Sequence, residues 1–270
     1  MKNTIDFYLR NLFKFSRKGY REKPESKSAL FYDEKITYKE QVLLKKYKLY
    51  KFKESSSKQT YLENLYILEL LEDYLKPERK NSLSVLDIGC KNWSYAKAEH
   101  AFFSKFIRHV EFWKRESDAK TYIKKEQGLV LDGIEVDAHR VYADFYSRKN
   151  AAEYYIRDLK GANYIVGDLM NHQAEYDFIV WVLPFVFERP HSLWGLPKKL
   201  FKPKEMLQKA YESLKDGGTM LIVNQGQDEY EMQQKLFDEA QIIYMPCGEF
   251  KSSFLKYKNK RFVSLITRMS

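Results

Sequence analysis

The apolar positions of this chain change their period several times, and each change predicts an element. Residues 5 to 20 repeat at helical spacing, with Ile5, Leu9, Leu12, Phe13 and Phe15 on one side, the pattern of a basic amphipathic helix. Residues 21 to 29 (REKPESKSA) read as a loop, a short helix is predicted from Tyr38 to about Tyr50, and KFKESSSKQ reads as a linker. From Thr60 the spacing becomes regular: Leu62, Leu65, Leu68, Leu71 and Leu75 share one helical face, Thr60 and Glu63 have capping-box spacing, and Pro77 ends the helix. Beyond it, apolar runs at 83–88, 129–136, 163–167, 177–183, 219–224, 240–246 and 261–268 predict strands, most of the early ones separated by helical stretches. Strands that are apolar throughout are buried on both faces, so the expected fold class is α/β, with a doubly wound, mostly parallel, Rossmann-like sheet. The last two runs, IIYMPCGEF and RFVSLITRM, are joined only by KSSFLKYKNK and predict an antiparallel hairpin closing a seven-stranded sheet.

Composition narrows the setting. A chain of 270 residues holds one large α/β domain, expected at 58–270, and a helical basic extension at 1–57, expected to cap that domain because Phe7, Leu9, Leu12, Phe13 and Phe15 are too many apolar residues for a solvated arm. No apolar run approaches the ~20 residues that span a bilayer. Charges interrupt every apolar run of the N-terminal stretch and no small-residue cleavage site follows, so no secretory signal is expected. Cys90 and Cys247 are too few for a disulfide framework and lack ligand spacing, so no metal site is expected and a reduced, cytoplasmic protein is. The net charge of +10 is concentrated: residues 1 to 60 hold 16 Lys/Arg against 7 Asp/Glu. Such a front end can contact nucleic acid, an anionic membrane surface or an acidic protein, or it can be a solvated Lys-rich face.

The candidate chemistry lies at the strand ends. VLDIGC puts Asp87 and Gly89 at the carboxyl end of the first strand, LDGIEVDAH puts Glu135 at the end of the second with Asp137 placed to cap a following helix, and YIVGDL puts Asp168 after the third. YDFIVWVLPF is a buried strand, and LKDGG leads into the strand TMLIVN. The ordered set resembles the class I S-adenosylmethionine-dependent methyltransferases over roughly residues 58 to 270. The resemblance implies an enzyme, S-adenosylmethionine as its cofactor, and roles for particular residues. Asp87 would lie near the methionine end, Glu135 would hold the ribose, and Asp168 would reach the adenine amino group. Val136, Leu169 and Trp181 complete the cofactor-binding set it implies. Gly133, two residues before Glu135, matches the family's Gly–apolar–acid ending of the second strand.

Two departures from the family pattern stand out. Lys91 and Trp93 occupy positions where the family's loop has glycines. Asn92 tolerates a left-handed backbone and is expected to rescue the turn. The backbone amides of Cys90, Lys91 and Asn92 would then face the methionine carboxylate, with Lys91 adding charge. The second departure is length, since the ~20 residues usual between loop and ribose carboxylate are far exceeded, and residues 109–127 read as an inserted or extended helix.

The acceptor side is less defined. VLPFVF offers Leu183, Pro184 and Phe185, with one proline and no polar side chain, which argues against methylation of base amino groups. Residues 184 to 204 hold Glu188, His191 and Trp194 where an acceptor lid belongs; His191 or Glu188 is a candidate base, and Phe185 and Trp194 are candidate walls. The same residues can instead be an ordered loop packed on the sheet. Asn224 and Gln225 end the fifth strand on the expected acceptor side. His172 flanks the adenine or is solvent exposed, Tyr61 and Asn64 border the methionine pocket, and Cys247 is read as core. Three functions remain open: methyl transfer to a small or lipid-like molecule, methylation of RNA or a ribosomal component recruited through residues 1–60, and cofactor binding without catalysis.

Overall fold

In the computed structural model, which describes residues 2–22, 37–108 and 128–269, the apolar runs become β1 (Ser82–Ile88), β2 (Gly128–Glu135), β3 (Ala162–Val166), β4 (Tyr176–Val182), β5 (Leu214–Gln225), β6 (Tyr244–Phe250) and β7 (Arg261–Thr267). The insertion expected at 109–127 lies outside the described residues. The strands form one sheet in the order β3-β2-β1-β4-β5-β7-β6, parallel from β3 to β5, with β7 antiparallel to both β5 and β6. This is the Rossmann-like seven-stranded sheet the pattern predicted. The order reverses between β1 and β4, and the carboxyl ends of the parallel strands open there, as in other open sheets that bind ligands at such a point.

The helices are α1 (Lys2–Phe13), α2 (Thr37–Tyr47), α3 (Tyr50–Ser55), α4 (Lys58–Tyr74), α5 (Ala96–Ser104), α6 (Arg148–Ile156), α7 (Glu188–Leu193), α8 (Pro203–Glu212) and α9 (Gly226–Glu239). Two cores flank the sheet. Val85, Leu131, Val180 and Val223 pack toward the α4 and α5 side, and Leu86, Ile134, Ile179 and Ile222 pack toward α8 and α9. Successive strand residues thus alternate between two buried faces, which is why the strands read as continuous apolar runs.

Several boundaries differ from expectation for local reasons. Ser57, not Thr60, caps α4: its Oγ accepts from the Thr60 amide at 3.2 Å, while Glu63 accepts from Ser94 Oγ at 2.7 Å. Part of the expected linker forms α3, because Leu49 and Phe52 give it an apolar side that packs on the α4 core. Strand β6 starts late, since α9 runs on to a left-handed turn at Gln241 and Ile242 packs into the core instead of pairing. Helix α1 ends at Phe13, where Lys14 turns left-handed, so Phe15 is not part of it. Its orientation is the larger surprise. Phe7 is buried and Arg10 and Asn11 face inward, while Ile5, Leu9, Leu12 and Phe13 are exposed.

Candidate active site at the switch point

The loop after β1 keeps a glycine-type backbone without the glycines. Gly89 has φ +71° and donates its amide to the Ile134 carbonyl at 2.9 Å. Lys91 (φ 56°) and Trp93 (φ 48°) are left-handed, at the two positions where glycine was expected; Asn92 is not, which corrects its assigned role. Each such non-glycine residue costs about 1 kcal/mol or more, which surrounding packing must offset. For Trp93 the compensation is visible. Its fully buried indole donates from Nε1 to Glu99 Oε2 at 2.8 Å and lies against Gly133 of β2. Lys91 is held differently: its amide donates to Glu135 Oε2 at 2.9 Å, and its carbonyl accepts from the Tyr164 hydroxyl at 2.6 Å. The Lys91 amide is therefore turned to Glu135 and not toward a ligand carboxylate. Asn64 fixes the loop from behind, donating to the Ser94 carbonyl at 2.9 Å and accepting the Ala98 amide at 2.9 Å. Tyr61 instead donates to Glu40 at 2.6 Å and faces α2.

Asp87 lies fully buried beside this loop, and neither carboxylate oxygen has a hydrogen bond of good geometry among the described residues, although the Tyr95 and Trp93 side chains approach as donors. Burial pushes its pKa up; Tyr95 nearby tempers the shift, and the Glu135 charge adds to it. Glu99 beside it is raised by burial and by Asp87. A carboxyl held protonated in the fold but ionised in the unfolded chain makes stability fall as pH rises above its ordinary range of about 4. Asp87→Asn should therefore melt higher than the parent at neutral pH, and thermal melts across pH should show that advantage shrinking toward pH 4. An advantage that does not change with pH would contradict this charge state.

Glu135 and Asp137 sit in a nest of cations. Glu135 Oε1 accepts from the Asp137 amide at 2.8 Å and from Arg148 at 3.1 Å. Asp137, 1% exposed, takes both arms of Arg10 at 2.6 and 3.0 Å and Arg140 Nε at 2.7 Å. Asp137 thus caps no helix. Helix α6 starts later, at Arg148, on a capping box between Ser147 and Asn150. Trp194 covers the nest, with Lys91 Nζ 4.6 Å and the Arg148 guanidinium 5.4 Å from its ring centroid. Burial, then the Arg148 charge, lower the Lys91 pKa.

A cleft of about 220 Å³ runs from this nest across the strand ends. Gly89, Lys91, Glu135, Val136, Asp168, Leu169 and Trp181 line it at the ends of the first four strands. Pro184, Phe185, His191, Trp194 and Gln225 also line it, with Phe201, Met206 and Leu236, which the sequence reading did not single out. Asp168 also caps the 3-10 turn at Leu169–Asn171, accepting the Met170 amide at 3.0 Å, so its structural and candidate binding roles coincide. His191 is 3% exposed, with Nδ1 unpartnered among the described residues and Phe185 and Phe201 packed on its ring. Burial lowers its pKa against the opposing charge of Glu188.

Other candidates are not brought to the cleft. Asp87, Cys90 and Asn92 are not among its lining residues. Glu188 is exposed and paired with Lys198 at 3.1 Å, which removes it as a base within the cleft. Asn224 is fully buried away from the lining. His172 is half-exposed and bonded to the Tyr176 hydroxyl at 2.7 Å, and Cys247 is half-buried on β6 against the core. Arg10, Arg140 and Arg148 were missed. Their only signal was the acid pair that needs them.

The sheet order and terminal hairpin define a Rossmann-like α/β fold of the seven-stranded kind. No protein-family model and no curated protein matches the chain. A solved S-adenosylmethionine-dependent methyltransferase from Aquifex aeolicus is 14% identical, with 75% of this chain and 91% of that one covered and a TM-score of 0.46. Precorrin-6y C5,15-methyltransferase from Geobacter metallireducens is 8% identical over 76% and 88%, also with a TM-score of 0.46. The likeness is one of fold. Among the described residues no group of acidic, His or Cys side chains could hold a metal ion, and no helix is long and apolar enough to cross a membrane.

Proposed function

We infer that the cleft binds S-adenosylmethionine and that the chain transfers its methyl group to a small apolar or amphiphilic acceptor under residues 184–203. The observation that carries this reading is one cleft at the reversal of strand order, lined both by Gly89 and Glu135 and by an aromatic cluster around His191. Bound there, S-adenosylmethionine would supply an electrophilic methyl group on a sulfonium centre. Glu135 suits the ribose: Oε2 accepts only the Lys91 amide among the described residues, leaving a lone pair for a hydroxyl donor. Asp168 accepts through Oδ1 alone, so its second oxygen suits the adenine amino group, with Val136, Leu169 and Trp181 as apolar walls. His191, uncharged at neutral pH because burial lowers its pKa, can take the proton an acceptor loses as its lone pair bonds to the methyl carbon. The RNA reading is weaker because Arg10 is spent on Asp137 and the exposed face of α1 is apolar.

Calorimetric titration with S-adenosylhomocysteine, followed by labelled-methyl transfer in fractionated cell extract, tests this. Label in a small-molecule or lipid fraction is expected; label in RNA would favour the second reading, and binding without label the non-catalytic one. His191→Ala should lower transfer by about 10²-fold and leave cofactor affinity within about twofold. Equal losses in both would remove His191 from the acceptor side. Trp194 is the poorer probe, since it also packs on Lys91 and Arg148 beside Glu135.

A further inference from the structure

Helix α1 is amphipathic, and it is mounted with its apolar side facing out. At 100° per residue, Ile5, Tyr8, Leu9, Leu12 and Phe13 fall on one continuous arc, and Phe7, Arg10 and Asn11 fall opposite. The second group faces the domain: Phe7 is buried, and Arg10 makes its two-armed bond to Asp137 and a 3.3 Å bond to the Gly195 carbonyl. The first group faces outward, with Leu12 and Phe13 each 74% exposed. A helix serving only as a cap gains by burying its apolar stripe. This one instead uses a buried ion pair to present that stripe to the surroundings.

The stripe continues onto the cleft rim. The Gly195 carbonyl bonded by Arg10 belongs to the turn that exposes Leu193 (75%) and Trp194 (38%), and Trp194 lines the cleft. Cations flank this apolar surface on both sides. Exposed Lys14, Arg17 and Lys18 follow the helix, Lys199 and Lys202 border the turn beside the Lys198–Glu188 pair, and Lys199 Nζ lies 4.8 Å from the Tyr8 ring centroid. Asp6 is the only carboxylate on α1. Apolar side chains at the centre and Lys/Arg at the edges are the composition of a helix lying in a lipid interface.

We propose that the outer face of α1, with Leu193 and Trp194, docks the protein on an anionic membrane surface and brings the mouth of the cleft to the lipid. Charge complementarity selects this occupant. A second copy would press two rims of the same sign together, and a phosphate backbone has no use for the apolar centre. Docking does not depend on methyl transfer, since it concerns the outer surface and not what the cleft holds.

Co-sedimentation of the full chain with vesicles of phosphatidylcholine, alone or mixed equally with phosphatidylglycerol, tests the proposal. Binding to the mixed vesicles should be at least about tenfold tighter and should weaken with added salt, as expected when several Lys and Arg side chains contribute. Leu12→Glu with Phe13→Glu should reduce it at least about tenfold at an unchanged melting temperature, since both side chains are exposed. Lys14→Ala with Lys18→Ala should remove part of the salt-dependent share. No preference for the anionic vesicles, or full binding by the Glu variant, would overturn the proposal. So would a dimer seen by light scattering that the Glu variant dissolves while vesicles are ignored, which would assign the face to a second copy.

Discussion

Gly133→Ala is expected to destabilise the protein by about 3 kcal/mol, near the upper end for overpacking, and to lower its melting temperature by roughly 5–10 °C. A Cβ at this position would stand 2.8 Å from Trp93 Cε3 and 2.9 Å from Cys90 Sγ, closer than carbon and sulfur tolerate. Neither neighbour can easily yield. The Trp93 indole is fully buried and tied to Glu99, and Cys90 is fully buried in the same turn. Trp93→Ala alone should cost about 3–5 kcal/mol, because it empties a packed slot and leaves Glu99 without its donor. Together the changes should cost less than their sum by at least about 1 kcal/mol, since the new methyl enters space the indole has left. Denaturant melts of the two single variants and the double variant measure this coupling. Strict additivity would mean that Gly133 and Trp93 do not fit each other as described.

That pair also shows what the sequence could and could not reveal. The strands, their order of appearance and the positions of the carboxylates near their ends were legible, because a buried strand needs a continuous apolar run and the first acids after it mark where that run stops. The left-handed turn was misassigned to Asn92 because propensity is a local preference. What holds Lys91 and Trp93 in that conformation is remote: a missing Cβ on β2, Glu99 on α5, and Tyr164 on β3. No local pattern near residue 91 encodes those contacts.

The N-terminal helix shows a different limit. Its amphipathic pattern was plain, and the natural inference was that the apolar side packs down. Direction cannot be read from periodicity, because the same stripe serves a core or an outside surface. Arg10 decided it, being matched to an acid 127 residues away. Asp137 looked like a helix cap for the same reason: a lone acid after a strand is usually spent locally, and only the fold brings Arg10 and Arg140 to it.

Glu135→Gln is expected to weaken S-adenosylhomocysteine binding by at least about tenfold, with Asp137→Asn changing it by no more than about threefold. Glu135 accepts three N–H donors on its two oxygens, and Oε2, with one of them, keeps a lone pair for a further donor. The Gln amide would turn an NH₂ group toward at least one of those donors and would leave Arg148 with only the more distant Asp137, 3.7 Å away, as its ion-pair partner. Charge-assisted bonds of about 1.5–3 kcal/mol each are lost or weakened, enough for the stated drop. Titrations should be run well below the melting temperature, because losing a buried charge partner also destabilises the fold. Asp137 has a different task. Its oxygens are taken by Arg10 and Arg140, so Asp137→Asn should chiefly loosen α1 and quicken tryptic cleavage after Arg10. A large affinity loss in Asp137→Asn with none in Glu135→Gln would put the ribose on the wrong acid.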